Sequence, residues 1–159
     1  MQLLFMAIFA AVIVVADQLV KFWTVANIAL YEHLDFIPGI LGLPYVQNTG
    51  AAFSALEGAR WLFVLVFLVL TVAMVYEYFF KRMPFTALER WCIAAVYAGG
   101  LGNVIDRVRL GYVVDMFATE FMDFPVFNVA DCFITCGCIL LLVHLVFFNK
   151  NFWKEEPKS

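Results

Sequence analysis

Residues 98–131 read AGGLGNVIDRVRLGYVVDMFATEFMDFPVFNVAD, and the rest of the chain is organised around this stretch. Most of the sequence is apolar, yet acids, asparagines and arginines are concentrated here. Three of the acids, Asp106, Asp115 and Asp131, lie where one hydrophobic segment ends and the next begins. Because ionisable side chains are costly to bury in a membrane, these residues are candidates for a functional site.

The composition is that of a membrane protein rather than of a soluble domain. Of the 159 residues, 65% are hydrophobic, and the mean hydropathy is +0.91, whereas a soluble chain is about half apolar. The formal net charge is only −3, and no basic run is present, which argues against a nucleic-acid partner. At this length we expect one domain that covers residues 1–159.

Four apolar segments are long enough to cross a bilayer as helices, which takes about 20 residues. They cover residues 3–26, 59–80, 88–105 and 126–148. A chain of this length cannot surround four such helices with polar layers, so we predict an all-α membrane protein built as a four-transmembrane-helix bundle. Residues 27–58 mix apolar residues with proline and glycine, which predicts short strands on the outer surface.

The distribution of lysine and arginine predicts the orientation in the membrane. Basic residues are most frequent in the loop between the second and third spans and in the C-terminal tail, at Lys81, Arg82, Arg90, Lys150, Lys154 and Lys158. Because such loops face the cytoplasm, we expect both termini there. In this orientation most polar residues of the spans lie in the outer leaflet, where water can reach them.

Asp115 and Asp131 are the acids best suited to act as a pair. Two carboxylates a few ångströms apart do not both ionise easily, so they share a proton. One would then act as a base on a water molecule and the other as an acid on a leaving amine. The alternative is that Asp131 only caps the fourth helix or forms hydrogen bonds inside the bundle. Asn128, three residues earlier, is a candidate N-cap residue.

Two further charged pairs have both structural and functional interpretations. Asp17 and Lys21 are four residues apart, a spacing that supports an ion pair on a helix. This pair either orients the first span at the membrane interface or belongs to the site. Arg107 either braces a loop together with Asp106 or binds a carbonyl or phosphate group with its planar guanidinium.

The small residues of the third span and the four cysteines are explained by packing, without a ligand. Ala98 and Gly102 form a small-xxx-small pattern, which predicts close packing between helices. The cysteines all lie within apolar runs, and we expect them to be buried, reduced thiols. They are Cys92, Cys132, Cys136 and Cys138.

Five blocks of the sequence, in order along the chain, resemble the lipoprotein signal peptidases, also called signal peptidase II. The blocks are DQLVK (17–21), QNTGAAFS (47–54), GGLGNVIDR (99–107), GYVVD (111–115) and FNVAD (127–131). Each block alone is weak evidence. Together, at matching places on the four predicted spans, they are specific, and the resemblance covers essentially the whole chain.

The resemblance implies a membrane aspartic endopeptidase that removes the signal peptide from a prolipoprotein just before its diacylglyceryl-modified cysteine. Asp115 and Asp131 fall on the family's two catalytic aspartates. Other motif positions bind substrate or support the site, and they are matched by Asp17, Lys21, Asn48, Gly50, Asn103, Asp106, Arg107, Asn128 and Ala130. Residues 27–58 correspond to the family's small extracytoplasmic β-sheet, which cradles the substrate.

The resemblance also implies a location and a set of partners. We expect a multi-pass protein of the bacterial cytoplasmic (inner) membrane with its active site near the outer face. Its partners would be diacylglyceryl-modified prolipoproteins, membrane lipid and inhibitors such as globomycin, and no metal or cofactor is expected. The competing hypothesis is a small transporter or proton-conducting protein that uses the buried acids. It would require a polar path through both leaflets or helices broken at mid-depth.

Overall fold

Four α-helices form most of the computed structural model, which describes residues 1–50, 56–81, 83–150 and 152. The helices are α1 (Gln2–Asn27), α2 (Arg60–Tyr76), α3 (Ala87–Arg109) and α4 (Val129–Phe147), and a π-helical turn, Glu77–Lys81, continues α2. Residues 51–54 of the second sequence block lie outside the described residues, as do three of the basic residues used for the orientation: Arg82, Lys154 and Lys158.

The helices coincide with the four apolar segments, but two of their ends differ from the prediction. α3 continues to Arg109 rather than ending near residue 105, so Asp106 and Arg107 lie on the helix and not in a loop. Arginines in the last turn interact favourably with the helix dipole, and Gly111, with φ of 89°, reverses the chain just beyond the helix. α4 begins at Val129 rather than at residue 126, because the residue before it forms an N-cap.

The exposure of the side chains is inverted relative to a soluble protein. Leu19 and Phe22 of α1 are 62% and 75% exposed, whereas Asp17 and Lys21 of the same helix are 0% and 3% exposed. Both α1 and α4 are long and apolar enough to cross a membrane, with mean hydropathies of 2.5 and 2.3 in their most apolar windows. Apolar residues therefore cover the outside and polar residues lie within, as in a membrane protein.

Within the described part of the chain, five short strands form two sheets. β1 (His33–Ile37) pairs antiparallel with β2 (Leu41–Pro44), and β2 pairs antiparallel with β5 (Ala118–Thr119). β3 (Val46–Asn48) pairs antiparallel with β4 (Val113–Asp115). Strands were predicted within residues 27–58, and β1 to β3 confirm this. β4 and β5 lie in the loop between α3 and α4, where no strand was predicted, and each joins one of the two sheets.

α3 is the central helix and packs against α1, α2 and α4. Two glycines permit its close approach to its neighbours. A Cβ at Gly102 would lie 2.6 Å from the Asp17 carboxylate, and a Cβ at Gly99 would lie 2.5 Å from the carbonyl oxygen of Ala130. The predicted packing through small residues is therefore confirmed.

The prediction of four buried thiols is wrong for three of the cysteines. All four are free, but only Cys92 is buried, Cys138 is half-buried, and Cys132 and Cys136 are exposed. The inference assumed that an apolar run lies inside the protein. α4 instead exposes much of its apolar surface, as a lipid-facing helix does, so an apolar position on it is not necessarily a buried one.

Candidate active site

The end of α3, strand β4 and the beginning of α4 surround a cavity of about 620 Å³. Asp115 and Asp131 both line this cavity. Asp115 is the last residue of β4, and Asp131 lies in the first turn of α4. Residues 124–127 and the face of α4 that carries Ile134 form apolar walls. Two acids from different elements thus share one largely apolar cavity.

Each oxygen of the two carboxylates accepts a hydrogen bond from an amide. The side-chain nitrogens of Asn128 and Asn48 donate to the two oxygens of Asp115, at 2.6 and 2.9 Å. The side-chain nitrogen of Asn103 and the backbone nitrogen of Asn128 donate to the two oxygens of Asp131, at 2.8 and 3.1 Å. These neutral donors orient both carboxylates.

Asn128 links the two acids directly. Its side-chain oxygen accepts the backbone N–H of Asp131 at 2.9 Å, which completes a capping box at the start of α4. Its side-chain nitrogen bonds Asp115 and also the oxygen of Asn103, at 3.1 Å. The predicted cap is therefore confirmed. Asp131 both caps α4 and lines the cavity, so the two roles that were considered as alternatives occur together.

The surroundings of Asp115 change its acidity. Burial raises the pKa of Asp115 to about 6, and the negative charge of Asp131 acts in the same direction, while the hydrogen bonds from Asn48 and Asn128 oppose the rise. A carboxyl group with a pKa near 6 is present in both protonation states close to neutral pH. Such a group is suited to take up and release a proton during a reaction.

Lys21 is the centre of a buried cluster behind the pair. Its ammonium group contacts Asp17 at 2.9 Å, Asp106 at 3.0 Å and the side-chain oxygen of Asn103 at 2.9 Å. The predicted pair with Asp17 is confirmed, but it is buried and shared with Asp106. Because Lys21 engages the oxygen of Asn103, the nitrogen of that amide is directed to Asp131.

The two acidic partners of Lys21 each hold a backbone N–H next to one member of the pair. Asp17 accepts the N–H of Ala130 at 3.0 Å, and Asp106 accepts the N–H of Val114 at 3.1 Å. Ala130 directly precedes Asp131, and Val114 directly precedes Asp115. The cluster therefore ties the backbone at both aspartates to a single buried cation.

Arg107 contacts a carbonyl group of the chain itself, so the structure shows a bracing contact to the segment that carries Gly50. Its guanidinium donates to the carbonyl oxygen of Gly50 at 2.8 Å and lies 4.3 Å from the centre of the Phe63 ring. The N–H of Gly50 in turn donates to the side-chain oxygen of Asn48 at 3.0 Å. This contact leaves the nitrogen of Asn48 free to donate to Asp115, so Arg107 orients Asp115 through two intermediate residues.

Sequence reasoning assigned no role to Gln18, to Phe63 or to the apolar wall at residues 124–127. The side-chain nitrogen of Gln18 donates to Asp106 at 2.9 Å across 88 residues of sequence. The sequence pointed to Gln18 only through its place in the first block, DQLVK (17–21). Phe63 is one apolar residue among many in α2, and nothing local distinguishes it.

Comparison with known proteins agrees with this geometry. Residues 9–147 match the family model described as signal peptidase (SPase) II. The lipoprotein signal peptidases of Streptococcus pyogenes serotype M2 (strain MGAS10270) and serotype M1 are each 45% identical over 144 residues, which cover 91% of this chain and 90% of the relative.

Two solved structures are also similar. They are bacterial membrane enzymes determined by the in meso method at 2.3 and 1.9 Å resolution, with TM-scores of 0.84 and 0.80. Each is 32% identical to this chain, and the matches cover 96% and 91% of this chain and 94% of each solved chain. The likeness therefore extends over most of this chain and most of each solved chain.

Proposed function

This chain belongs to the signal peptidase II family of membrane aspartic peptidases, and we propose that it removes signal peptides from prolipoproteins with Asp115 and Asp131 as its catalytic pair. The observation that carries this assignment is that both carboxylates line one cavity and are held by neutral amides. The family match favours the peptidase over the transporter hypothesis that the buried acids also allowed.

The proposed reaction needs only the two carboxyl groups and a water molecule. The ionised carboxylate takes a proton from water, and the water oxygen adds to the carbonyl carbon of the scissile peptide bond. The tetrahedral intermediate collapses, the C–N bond breaks, and the leaving amine takes the proton of the other carboxyl group. One proton enters the pair and one leaves it, so the pair again holds one proton, now on the carboxyl group that acted as the base. A pKa of about 6 suits Asp115 to this exchange.

The apolar walls of the cavity are consistent with the proposed substrate, which carries a lipid-modified cysteine. Beyond Asp131 the cavity follows α4 past Cys132 and Ile134 to Cys136. Cys132 and Cys136 are exposed on the apolar outer surface of the helix. An acyl chain in the membrane can therefore contact the face of α4 that carries Asp131. We propose that diacylglyceryl prolipoproteins, and inhibitors such as globomycin, bind in this cavity.

The remaining family positions are proposed to support the site rather than to transfer protons. We propose that Asn48, Asn103 and Asn128 orient the carboxylates through their amide hydrogen bonds. Arg107 and Gly50 position Asn48. Asp17 and Asp106, which contact Lys21, hold the backbone N–H groups that directly precede Asp131 and Asp115.

We further infer that the whole chain is one peptidase domain with four membrane spans in the bacterial cytoplasmic membrane. α2 and its π-helical turn together reach from residue 60 to 81, and α3 has 23 residues, so each is long enough to span. With both termini in the cytoplasm, cysteines engineered at Glu57 and Thr119 should react with an impermeant maleimide added to intact cells. One at Met83 should not, and labelling there would refute the orientation.

Single-turnover cleavage of a lipidated prolipoprotein, in detergent or nanodiscs, tests the catalytic pair. Asp115→Asn and Asp131→Asn should each abolish cleavage in a folded protein, because asparagine is nearly isosteric but cannot act as a base. Since the two acids act as a unit, the double variant should be little worse than either single variant.

The matched control for this assay is Asp123→Asn. Asp123 lies in the same loop and is exposed, and the variant should cleave at the wild-type rate. Near-normal cleavage by either Asp115→Asn or Asp131→Asn would refute the pair and make the transporter hypothesis relevant again.

A further inference from the structure

We propose that His33, Asp35 and Glu120 bind a divalent transition-metal ion of the Zn²⁺ type on the three-stranded sheet. Each residue offers one ligand atom, and these atoms lie within 4.8 Å of one another. The imidazole Nε2 of His33 is 3.3 Å from a Glu120 oxygen and 3.8 Å from an Asp35 oxygen. The site belongs to a different sheet from the one that carries Asp115.

These distances are close to those between the ligands of a tetrahedral zinc ion. Bonds of about 2.0–2.2 Å at tetrahedral angles place neighbouring ligand atoms about 3.3–3.6 Å apart. The His33–Glu120 separation of 3.3 Å is within this range. The Asp35 carboxylate, 3.8 Å from His33 and within 4.8 Å of Glu120, must move towards both residues when it binds the ion. One imidazole and two carboxylates suit zinc, and the fourth position remains open to water.

The fold brings these three residues together through one glycine. His33 and Asp35 are two residues apart on β1, so they share a face of the sheet. Glu120 directly follows β5, which lies on the far side of β2. Gly42 of β2 pairs with Asp35 on one side and with Ala118 on the other. A Cβ at Gly42 would overlap the His33 ring, so the missing side chain lets the imidazole reach across β2 to Glu120.

A backbone group holds the Glu120 carboxylate in place. One of its oxygens accepts the N–H of Gly39 at 2.7 Å, while the other faces His33. Hydrogen bonds of this kind orient carboxylate ligands in metal sites. Over the described ranges, the ion pairs of Asp35 and Glu120 involve His33 alone. A divalent cation would balance the two carboxylate charges and join β1 to β5 across β2.

Calorimetric titration of the full-length protein with ZnCl₂ in nanodiscs, after removal of metals with a chelator, tests the proposal. Wild type should bind Zn²⁺ saturably, and Zn²⁺ should raise its Tm because the ion binds only the folded state. His33→Gln, Asp35→Asn and Glu120→Gln should each weaken binding at least about 10- to 100-fold. Asp123→Asn, which removes an exposed acid three residues after Glu120 in the sequence, should bind Zn²⁺ as wild type does.

The Asp35→Asn variant keeps the test decisive if the others fold poorly. The Asp35 side chain is 78% exposed, so the substitution removes a ligand atom without disturbing packing. The proposal is overturned if wild type shows no saturable binding. It is equally overturned if Asp35→Asn binds Zn²⁺ as tightly as wild type, because the ion would then lie elsewhere, for example on Cys132 and Cys136.

Discussion

Replacing Asp115 with asparagine should change how the stability of the protein depends on pH. Asp115 is 2% exposed, and burial raises its pKa from the ordinary 3.8 to about 6. A carboxyl group whose pKa is higher in the folded than in the unfolded state stabilises the fold while it is protonated. That contribution is complete below about pH 4 and is lost as the pH rises through about 6. Asparagine does not titrate, so Asp115→Asn should not show this loss.

The size of the effect follows from the two pKa values. The difference between 3.8 and about 6, at about 1.36 kcal/mol per pH unit, corresponds to about 3 kcal/mol. The substitution also has a constant cost of about 1–2 kcal/mol, because the new amide nitrogen faces a donor nitrogen of Asn48 or Asn128. That cost is the same at every pH and does not affect the pH dependence.

The free energy of unfolding of Asp115→Asn, relative to wild type, should therefore increase by about 3 kcal/mol between about pH 4 and pH 8. For a chain of this size the corresponding relative rise in Tm is about 6–12 °C. The sign is the informative part of the prediction. An aspartate stabilised by a cation in the folded state would give the opposite trend, with wild type gaining stability over the variant as the pH rises.

Thermal unfolding of wild type and Asp115→Asn, measured in the same detergent at closely spaced pH values, provides the test. Asp123→Asn serves as the control, since Asp123 is exposed, and its Tm should follow that of wild type at every pH. A constant Tm difference between Asp115→Asn and wild type across this range would show that Asp115 does not ionise there. The proposed acid-base role would then lose its basis.

Substitutions around the pair should affect folding and turnover to different degrees. Lys21→Met leaves buried carboxylates without their cation and should lower the free energy of unfolding by about 3–5 kcal/mol, measured by denaturant or thermal unfolding. Arg107→Ala should retain a measurable fraction of single-turnover cleavage, since Arg107 positions a backbone carbonyl; complete loss in a folded protein, with Asp115→Asn still active, would contradict the assigned roles. Gly102→Ala should lower Tm more than Gly100→Ala. The Cβ added at residue 102 would lie 2.6 Å from the buried Asp17 carboxylate, whereas the Cβ added at residue 100 would lie 3.0 Å from the Phe67 ring, which can move.

The helices could be predicted from sequence because their signal is local. Each turn of a membrane-facing helix presents apolar residues to the lipid, so a mostly apolar stretch of about 20 residues is recognisable in the sequence. The ends were less predictable, since they depend on polar contacts. α3 extends to Arg109 and is followed by Gly111 in a left-handed conformation. The positions of β4 and β5 depend on partner strands more than 60 residues earlier in the chain, which periodicity cannot identify.

The candidate site could be predicted only in part. The resemblance of five blocks pointed to Asp115 and Asp131, while the residues alone left a purely capping role for Asp131 open. Helical spacing predicted the contact of Lys21 with Asp17, because both lie on one helix. It could not predict the contact with Asp106, which comes from a different helix. Side-chain partners on separate elements have no common period in the sequence, so only the packed structure reveals them.

The contacts around Lys21 explain why blocks so far apart in sequence form one site. Asp17 and Asp106 share this cation, and each accepts the backbone N–H that directly precedes one aspartate of the pair. A change at Lys21 therefore disturbs the backbone at both acids. A change at Asn48 removes a hydrogen bond from Asp115 alone. The proposed sharing of a proton requires the two acids to be placed relative to each other. The geometry of the proposed pair therefore depends on a buried ion cluster contributed by α1 and α3 as much as on the two aspartates.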